Sequence, residues 1–123
     1  MIDIDNFKDV NDQYGHPAGD KILVKIGELL REIFRDSDLI GRVGGDEFVV
    51  YSECGETKTR AMKLLNGTED FTKEGEHRIS VSIGIAASTG EPDEEYQELL
   101  SKADQAMYRA KQEGKNRIAW YEE

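Results

Sequence analysis

The sequence is poor in the features that would tie a protein to an oxidising or membrane setting. Its single cysteine, Cys54, cannot form an internal disulfide. No apolar run is long enough to span a bilayer or to serve as a signal sequence. We therefore expect a cytoplasmic protein with no membrane contact by this segment.

Three common signatures of nucleotide and metal chemistry are also missing. The chain has neither the G-x-x-x-x-G-K-[ST] phosphate loop nor the G-x-G-x-x-G dinucleotide fingerprint. One cysteine and two histidines give no spacing that would hold zinc. These absences argue against a P-loop NTPase, a Rossmann dehydrogenase and a zinc-stabilised fold.

Positive charge is scarce. Against 26 acidic residues the chain has 16 lysines and arginines, a formal net charge of −10, which disfavours nucleic acid as a partner. A phosphate ligand would need local help from carboxylate-held divalent cations, a few well-placed basic side chains, or backbone amides. With 123 residues, 37% of them hydrophobic, the chain is predicted to fold as one globular domain.

Hydrophobic periodicity predicts the first half of the fold. Residues 1–5 alternate as a strand, with Ile2 and Ile4 on one face and Asp3 and Asp5 on the other. Pro17 opens a strongly amphipathic helix that runs to Phe34. Two apolar runs then flank a glycine-containing turn and predict a β-hairpin over residues 39–51.

The second half continues the alternation of helices and strands. We predict a helix over residues 57–66 that Gly67 ends, a loop up to His77, and a strand over 79–85. Gly84 lies in that strand and suggests that another element approaches it closely. A last helix over 93–113 and a strand over 118–121 complete the chain. The predicted class is α+β: a mostly antiparallel sheet flanked by helices, of the ferredoxin-like or palm type.

Acidic residues stand at two of the predicted turns and strand ends. Asp3 and Asp5 close the first strand, while Asp46 and Glu47 occupy the hairpin tip. Carboxylates so placed can converge on a hard cation, although solvated surface acids are the commoner explanation of such a pattern.

The motifs resemble those of the GGDEF family of diguanylate cyclases. Residues 44–48 read GGDEF letter for letter, and residues 3–8 read DIDNFK. The family's further elements follow in their usual order as ND at 11–12, YGH at 14–16, GD at 19–20, SIGIA at 82–86, and a pattern from Ala103 to Asn116. The resemblance covers almost the whole chain.

This resemblance implies a metal and catalytic site. Asp3, the backbone carbonyl of Ile4, and Asp46 match the positions that hold magnesium, or manganese in its place, against the triphosphate of GTP. Glu47 matches the acid that assists the 3′-hydroxyl. In the simpler interpretation Glu47 is only an exposed hairpin acid.

The resemblance also implies a substrate site. Asn11 and Asp20 match the pair that reads guanine, although they could instead make a turn and cap a helix. Phe7 and Lys8 match the turn after the first strand, whose backbone amides approach the phosphates, although Phe7 could equally be plain core and Lys8 a solvated surface charge. Gly44 and Gly45 match positions where the backbone comes close, or they only shape the turn. Lys111 and Lys115 match basic residues that hold the terminal phosphates. Lys115 replaces the arginine more usual in the family and so lacks the bidentate fork.

Arg35 and Asp38 match the R-x-x-D inhibitory site for the product, where arginine can donate to guanine O6 and N7. The alternative for Arg35 is a favourable position for positive charge near a helix C-terminus.

The implied activity is condensation of two GTP molecules into cyclic di-GMP by a homodimer, with release of pyrophosphate and product inhibition. Residues 1–123 would be a single GGDEF domain lacking the helical segment that normally precedes the first strand, and such domains can be the cytoplasmic part of a larger sensor. The main alternative is an inactive module that binds GTP or cyclic di-GMP. A palm-type enzyme with another base preference is disfavoured by Asn11 and Asp20.

Overall fold

The elements follow one another along a chain whose computed structural model describes residues 1–53, 55–75 and 78–122. Cys54 and His77 lie outside the described residues. The strands and helices are β1 (Ile2–Ile4), α1 (Phe7–Tyr14), α2 (His16–Ile33), β2 (Leu39–Arg42), β3 (Glu47–Tyr51), α3 (Thr57–Glu74), β4 (Val81–Ile85), α4 (Tyr96–Gln112) and β5 (Arg117–Trp120).

The strands form one five-stranded sheet in the order β2-β3-β1-β4-β5. Every neighbouring pair is antiparallel except β4 and β5, which are parallel because α4 forms the crossover between them. The predicted class, a mostly antiparallel sheet flanked by helices, is confirmed.

The alternation in β1 separates two faces of the sheet. Ile2 and Ile4 pair with Ile83 and Val81 and join α2 and α3 in one buried apolar cluster. Asp3 pairs with Ser82 and lies on the opposite face. That face is not open to water at β1, because Asp3 and Asp5 are only 6% and 3% exposed.

Helix α4 covers the second face and approaches the sheet most closely at Gly84. A Cβ atom there would lie 2.1 Å from the backbone oxygen of Ala103 and 2.2 Å from the backbone nitrogen of Met107. The close approach inferred from Gly84 is therefore confirmed, and the buried alanines Ala103, Ala106 and Ala110 maintain it along the helix.

The short helix α1 was expected only as a turn after the first strand. It has eight residues, none of them fully buried. Phe7 and Val10 nevertheless pack against the core. The helix begins after Asn6, whose φ of 57° turns the chain sharply out of β1.

Helix α3 is longer than predicted, since it continues through Gly67 to Glu74. Gly67 was interpreted as a C-terminal stop, but it permits close packing: its Cβ would lie 2.5 Å from Leu29 Cδ2 of α2. The predicted loop up to His77 was therefore wrong for residues 67–74. A glycine that ends a helix and one that admits a neighbour look the same in sequence.

Two boundaries differ for identifiable reasons. Ile79 was predicted to begin a strand, but its N–H and C=O both bond the hydroxyl of Thr72, at 2.8 and 2.9 Å, and β4 begins at Val81. The last helix begins at Tyr96, three residues after the predicted start at Asp93. The preceding segment is a turn in which Glu94 accepts a bond from the Thr89 backbone N–H at 2.6 Å.

We predict that Gly84→Ala lowers the free energy of unfolding by about 3 kcal/mol, because its methyl group would collide with the α4 backbone. Gly27→Ala is the matched control. Gly27 lies in α2 with nothing within 4 Å of its Cβ position, and alanine there should stabilise by up to about 1 kcal/mol. Urea unfolding compares the two variants. Equal stabilities would contradict the packing described here.

Candidate active site

Three carboxylates converge where β1 lies beside the hairpin turn. Asp3 pairs with Glu47 across β1 and β3, and the Ile4 N–H donates to the Asp46 backbone oxygen at 3.0 Å. One ligand atom from each of Asp3, Asp46 and Glu47 lies within 4.8 Å of the others. Three of the four acids named from the sequence thus converge, whereas Asp5 lies outside the cluster and bonds Ser80, Ser82 and Asn116.

Lys111 of α4 lies over this cluster. Its Nζ is 2.6 Å from Asp3 Oδ2, while Asp3 Oδ1 is buried and has no hydrogen-bond partner among the described residues. Burial raises the pKa of Asp3 to about 6; Asp46 adds to the rise, and Lys111 opposes it. The cluster therefore combines a buried oxygen without a described partner, Asp3 Oδ1, with the negative potential of three carboxylates.

These residues fit a hard divalent cation. The donor set consists of carboxylate oxygens, which magnesium and manganese prefer, and Asp3 Oδ1, which no described residue hydrogen-bonds, offers a coordination position. The Ile4 carbonyl remains a predicted ligand beside this cluster.

The glycines of the hairpin turn are exposed, and an arginine that the sequence analysis overlooked holds them. The Arg42 guanidinium donates to the carbonyl oxygens of Gly44 at 3.1 Å and Gly45 at 2.7 Å. The position of Arg42, two residues before the first glycine, was a usable signal. Its bonds fix the turn that carries Asp46.

The packing of α1 on α2 places Asn11 against Gly19, the residue before Asp20. Asn11 Oδ1 is buried without a partner among the residues described. Gly19 admits it, since a Cβ there would lie 1.9 Å from that oxygen and 3.0 Å from Phe7 Cζ. Asp20, the next residue, is exposed. The two predicted guanine-reading side chains thus lie on adjacent helices, one oriented by burial and one open to solvent.

Phe7 and Lys8 begin α1 and differ in environment. Phe7 is half-buried against the core, as its structural alternative anticipated, and Lys8 is exposed. Asn6 makes no side-chain cap to α1, so first-turn amides remain for another acceptor.

Lys115 lies in the turn between α4 and β5. Gly114, Lys115 and Asn116 all have positive φ, of 129°, 65° and 48°. Lys115 Nζ donates to Asn6 Oδ1 at 2.7 Å. Lys111 and Lys115 are therefore both directed from the end of α4 towards the end of β1.

Arg35 and Asp38 lie away from the carboxylate cluster, at the other end of the β2–β3 hairpin. The four residues of β2 separate the two places by roughly 13 Å along the strand. The Arg35 side chain is 50% exposed, whereas that of Asp38 is only 1% exposed.

A second arginine that the sequence analysis did not single out, Arg60 of α3, binds Asp38. Its Nη1 lies 2.9 Å from Asp38 Oδ2, which also accepts the Arg35 backbone N–H at 2.9 Å. Burial opposes ionisation of Asp38, but the Arg35 backbone bond, Ser52 and both arginine charges outweigh it and lower the pKa of the carboxyl group. Asp38 is thus tied into the fold, and the half-exposed Arg35 side chain places its Nη2 3.6 Å from Asp38 Oδ1.

Residues 1–117 match the family model described as "Diguanylate cyclase, GGDEF domain". The chain belongs to the GGDEF family. Diguanylate cyclase DosC of Escherichia coli K12 is 41% identical over 125 residues, which cover 96% of this GGDEF chain and 27% of DosC. The bifunctional diguanylate cyclase/cyclic di-GMP phosphodiesterase MucR of Pseudomonas aeruginosa is 42% identical over 127 residues, covering 99% of this chain and 18% of MucR. The chain thus spans about a quarter or less of these relatives.

Solved GGDEF structures share the fold. An EAL/GGDEF domain protein from M. capsulatus superposes with a TM-score of 0.84 at 40% identity, covering 99% of this chain and 82% of that one. The active GGEEF domain of a diguanylate cyclase from Vibrio cholerae gives 0.83 at 33% identity, with coverages of 99% and 80%. The described residues include no helix long and apolar enough to cross a membrane.

We predict that Asp3 makes metal-free stability depend on pH. Its folded pKa of about 6 lies above its ordinary value of 3.8, so the folded state holds the proton more tightly and stability falls as pH rises between these values. Asp3→Asn should remove this decline and be relatively more stable above pH 6. Chemical denaturation in EDTA measures it, with Asp12→Asn on the exposed side of α1 as control. Parallel pH profiles for wild type and Asp3→Asn would contradict the assignment.

Proposed function

We propose that this GGDEF domain is an active diguanylate cyclase that joins two GTP molecules into cyclic di-GMP and releases two pyrophosphates. The observation that carries the proposal is the convergence of Asp3, Asp46 and Glu47 within 4.8 Å, with Lys111 on Asp3. Names of relatives support it, since DosC is a diguanylate cyclase and the Vibrio cholerae neighbour is an active domain of one.

Asp3, Asp46 and the Ile4 carbonyl would hold the cation, magnesium or manganese. A cation bound there would neutralise triphosphate charge and make the attacking hydroxyl more acidic. This local positive charge is essential in a chain whose formal net charge is −10.

The triphosphate would lie between the end of α4 and the start of α1. Lys111 and Lys115 supply two ammonium groups from one side, and the first-turn amides at Phe7 and Lys8 supply donors from the other. The exposed glycines Gly44 and Gly45 let the hairpin backbone approach the nucleotide.

Asn11 and Asp20 would select guanine. A carboxylate accepts from the guanine N1–H and 2-amino group, and an amide pairs with O6 or N3. Adenine lacks the matching pair of donors. The donor to O6 or N3 would be the Asn11 Nδ2 group, and the burial of Asn11 Oδ1 against α2 orients the amide.

Two domains must cooperate, because each nucleotide provides both a nucleophile and an electrophile. The 3′-oxygen of one GTP attacks the α-phosphorus of the other, a P–O bond forms, and the bond to the β-phosphate oxygen breaks to release pyrophosphate. Glu47 assists the 3′-hydroxyl and accepts its proton. The same step in the opposite direction closes the ring, so the active form is a homodimer.

Incubation of the chain with GTP and magnesium should yield cyclic di-GMP, detected by mass, and pyrophosphate. Asp46→Ala should lower the rate by about 100-fold or more, because it removes a cation ligand. Asp36→Ala, at an exposed acid outside the cluster, is the matched control and should retain activity. GTP binding without product from the wild-type chain would instead favour a binding module, and an active Asp46→Ala variant would refute the proposed site.

We further propose that the product inhibits the enzyme through Arg35, whose exposed guanidinium can donate to guanine O6 and N7. In this proposal Asp38, whose side chain is only 1% exposed, positions Arg35 by accepting its backbone N–H and is itself held by Arg60. Relatives support product binding, since a GGDEF domain of DgcB from Caulobacter crescentus was solved in complex with c-di-GMP.

Arg35→Ala should raise the cyclic di-GMP concentration for half-inhibition about tenfold, because one charged hydrogen-bonding group is lost. The initial rate should stay unchanged, since Arg35 lies far from the carboxylate cluster. Arg31→Ala is the control, at another exposed arginine near the end of α2. Equal inhibition of wild type and Arg35→Ala would exclude Arg35 from product binding.

A further inference from the structure

Asp5 carries a buried carboxylate that the proposed reaction does not use. It follows β1 and is only 3% exposed. Its Oδ1 accepts the Ser82 hydroxyl at 2.5 Å, and its Oδ2 accepts the Ser80 hydroxyl at 2.7 Å and the Asn116 backbone N–H at 3.0 Å. Two of these donors belong to the β4 side of the sheet, and the third belongs to the turn that carries Lys115.

That turn adopts a conformation that the chain does not favour by itself. Lys115 and Asn116 are consecutive residues with side chains, and both have left-handed φ values, of 65° and 48°. Such residues need surrounding contacts to hold them. The Lys115 N–H bonds the Ala110 oxygen at 3.0 Å, which ties the turn to α4. The Asn116 N–H bonds Asp5, which ties it to the sheet.

Two hydrogen bonds join the end of β1 to the turn after α4. Asp5 binds the Asn116 backbone, and the adjacent Asn6 accepts the Lys115 ammonium at 2.7 Å. Asn6 is itself left-handed, with φ of 57°. The end of β1 and the turn after α4 are therefore held against each other by one backbone bond and one side-chain bond.

We propose that Asp5 is a positioning residue for nucleotide binding, which holds the Gly114–Asn116 turn so that Lys115 reaches the phosphates. The inference rests on the proposed function. Asp5 acts through the turn and does not touch the nucleotide. What it provides is hydrogen-bond acceptance at fixed positions, because all three of its partners are neutral donors.

A positioning role through hydrogen bonds and a role for the negative charge predict opposite results for Asp5→Asn. With its oxygen towards Ser80 and Asn116, the amide retains both of those bonds, and its nitrogen can donate to the Ser82 hydroxyl oxygen. A positioning role therefore tolerates asparagine, while a role for charge does not. Asp5→Ala removes all three bonds. Asp5→Ser, whose oxygen is one bond closer to the backbone, is expected to lose the Asn116 bond and serves if the alanine variant fails to fold.

Ser82→Ala is the matched control. It removes one bond from the same carboxylate and weakens the same buried cluster, but it leaves the Asn116 bond in place. Any loss of nucleotide affinity that comes from general destabilisation should appear in this variant as well. A loss confined to Asp5→Ala and Asp5→Ser comes from the turn.

The experiment has two readouts. Calorimetry with a non-hydrolysable GTP analogue and magnesium should show about tenfold weaker binding for Asp5→Ala, and values within about twofold of wild type for Asp5→Asn and Ser82→Ala. In the cyclase assay the KM for GTP should rise by the same factor, with kcat nearly unchanged. Wild-type affinity in Asp5→Ala, or equal losses in Asp5→Asn and Asp5→Ala, would overturn the proposal.

Amide hydrogen exchange followed by NMR tests the same contact without nucleotide. The Asn116 amide should exchange slowly in wild type and Asp5→Asn, and at least about tenfold faster in Asp5→Ala. Rapid exchange in the wild-type chain would refute the positioning role. A wild-type chain that binds no GTP yet protects this amide would refute the proposed function, while leaving the structural part of the inference established.

Discussion

The close approach of α4 to β4 at Gly84 is the constraint on which the site depends. A helix that packs at ordinary distance would lie further from the sheet, and Lys111, one turn beyond Met107, would not reach Asp3. The approach requires a residue without a side chain in the strand and small residues along the helix. The site's geometry thus follows from packing that involves none of the chemically active residues.

Asp3 in strand β1 and Asp5 just after it have neighbours on both edges of the strand and on the face that α4 covers. Hairpin β2–β3 brings Asp46 and Glu47 to one edge, β4 brings two serines to the other, and α4 brings lysines from above. A three-residue strand at the middle of the sheet can therefore support a metal-type cluster and a buried anchor two residues apart. The candidate site therefore lies on the central strand of the sheet, where neighbours on both edges restrain the backbone.

The sequence predicted those parts of the fold that rest on strong periodicity. Helix α2 and the β2–β3 hairpin agree with expectation because apolar spacing and turn chemistry point the same way there. Helix α1 and the second half of α3 were missed, since Phe7 with Val10, and Gly67 with Leu29, acquire meaning only through tertiary contacts. Motif resemblance located Asp3, Asp46 and Lys111, but it does not tell which residues hydrogen-bond to one another. The bonds of Arg42 to the turn, of Arg60 to Asp38, and of Asp5 to Asn116 join residues that are distant along the chain or belong to no motif.

The ion pair between Lys111 and Asp3 has a consequence for how the domain assembles. A cluster of carboxylates with no cation would repel itself and resist folding. Lys111 acts as an internal counterion that lets the protein complete its fold before any ligand arrives. In the proposed function, ligand binding would be an exchange of counterions, in which Lys111 leaves Asp3 and turns to the incoming anion. Folding would then require neither cofactor nor substrate, and folding and ligand binding would be separate events.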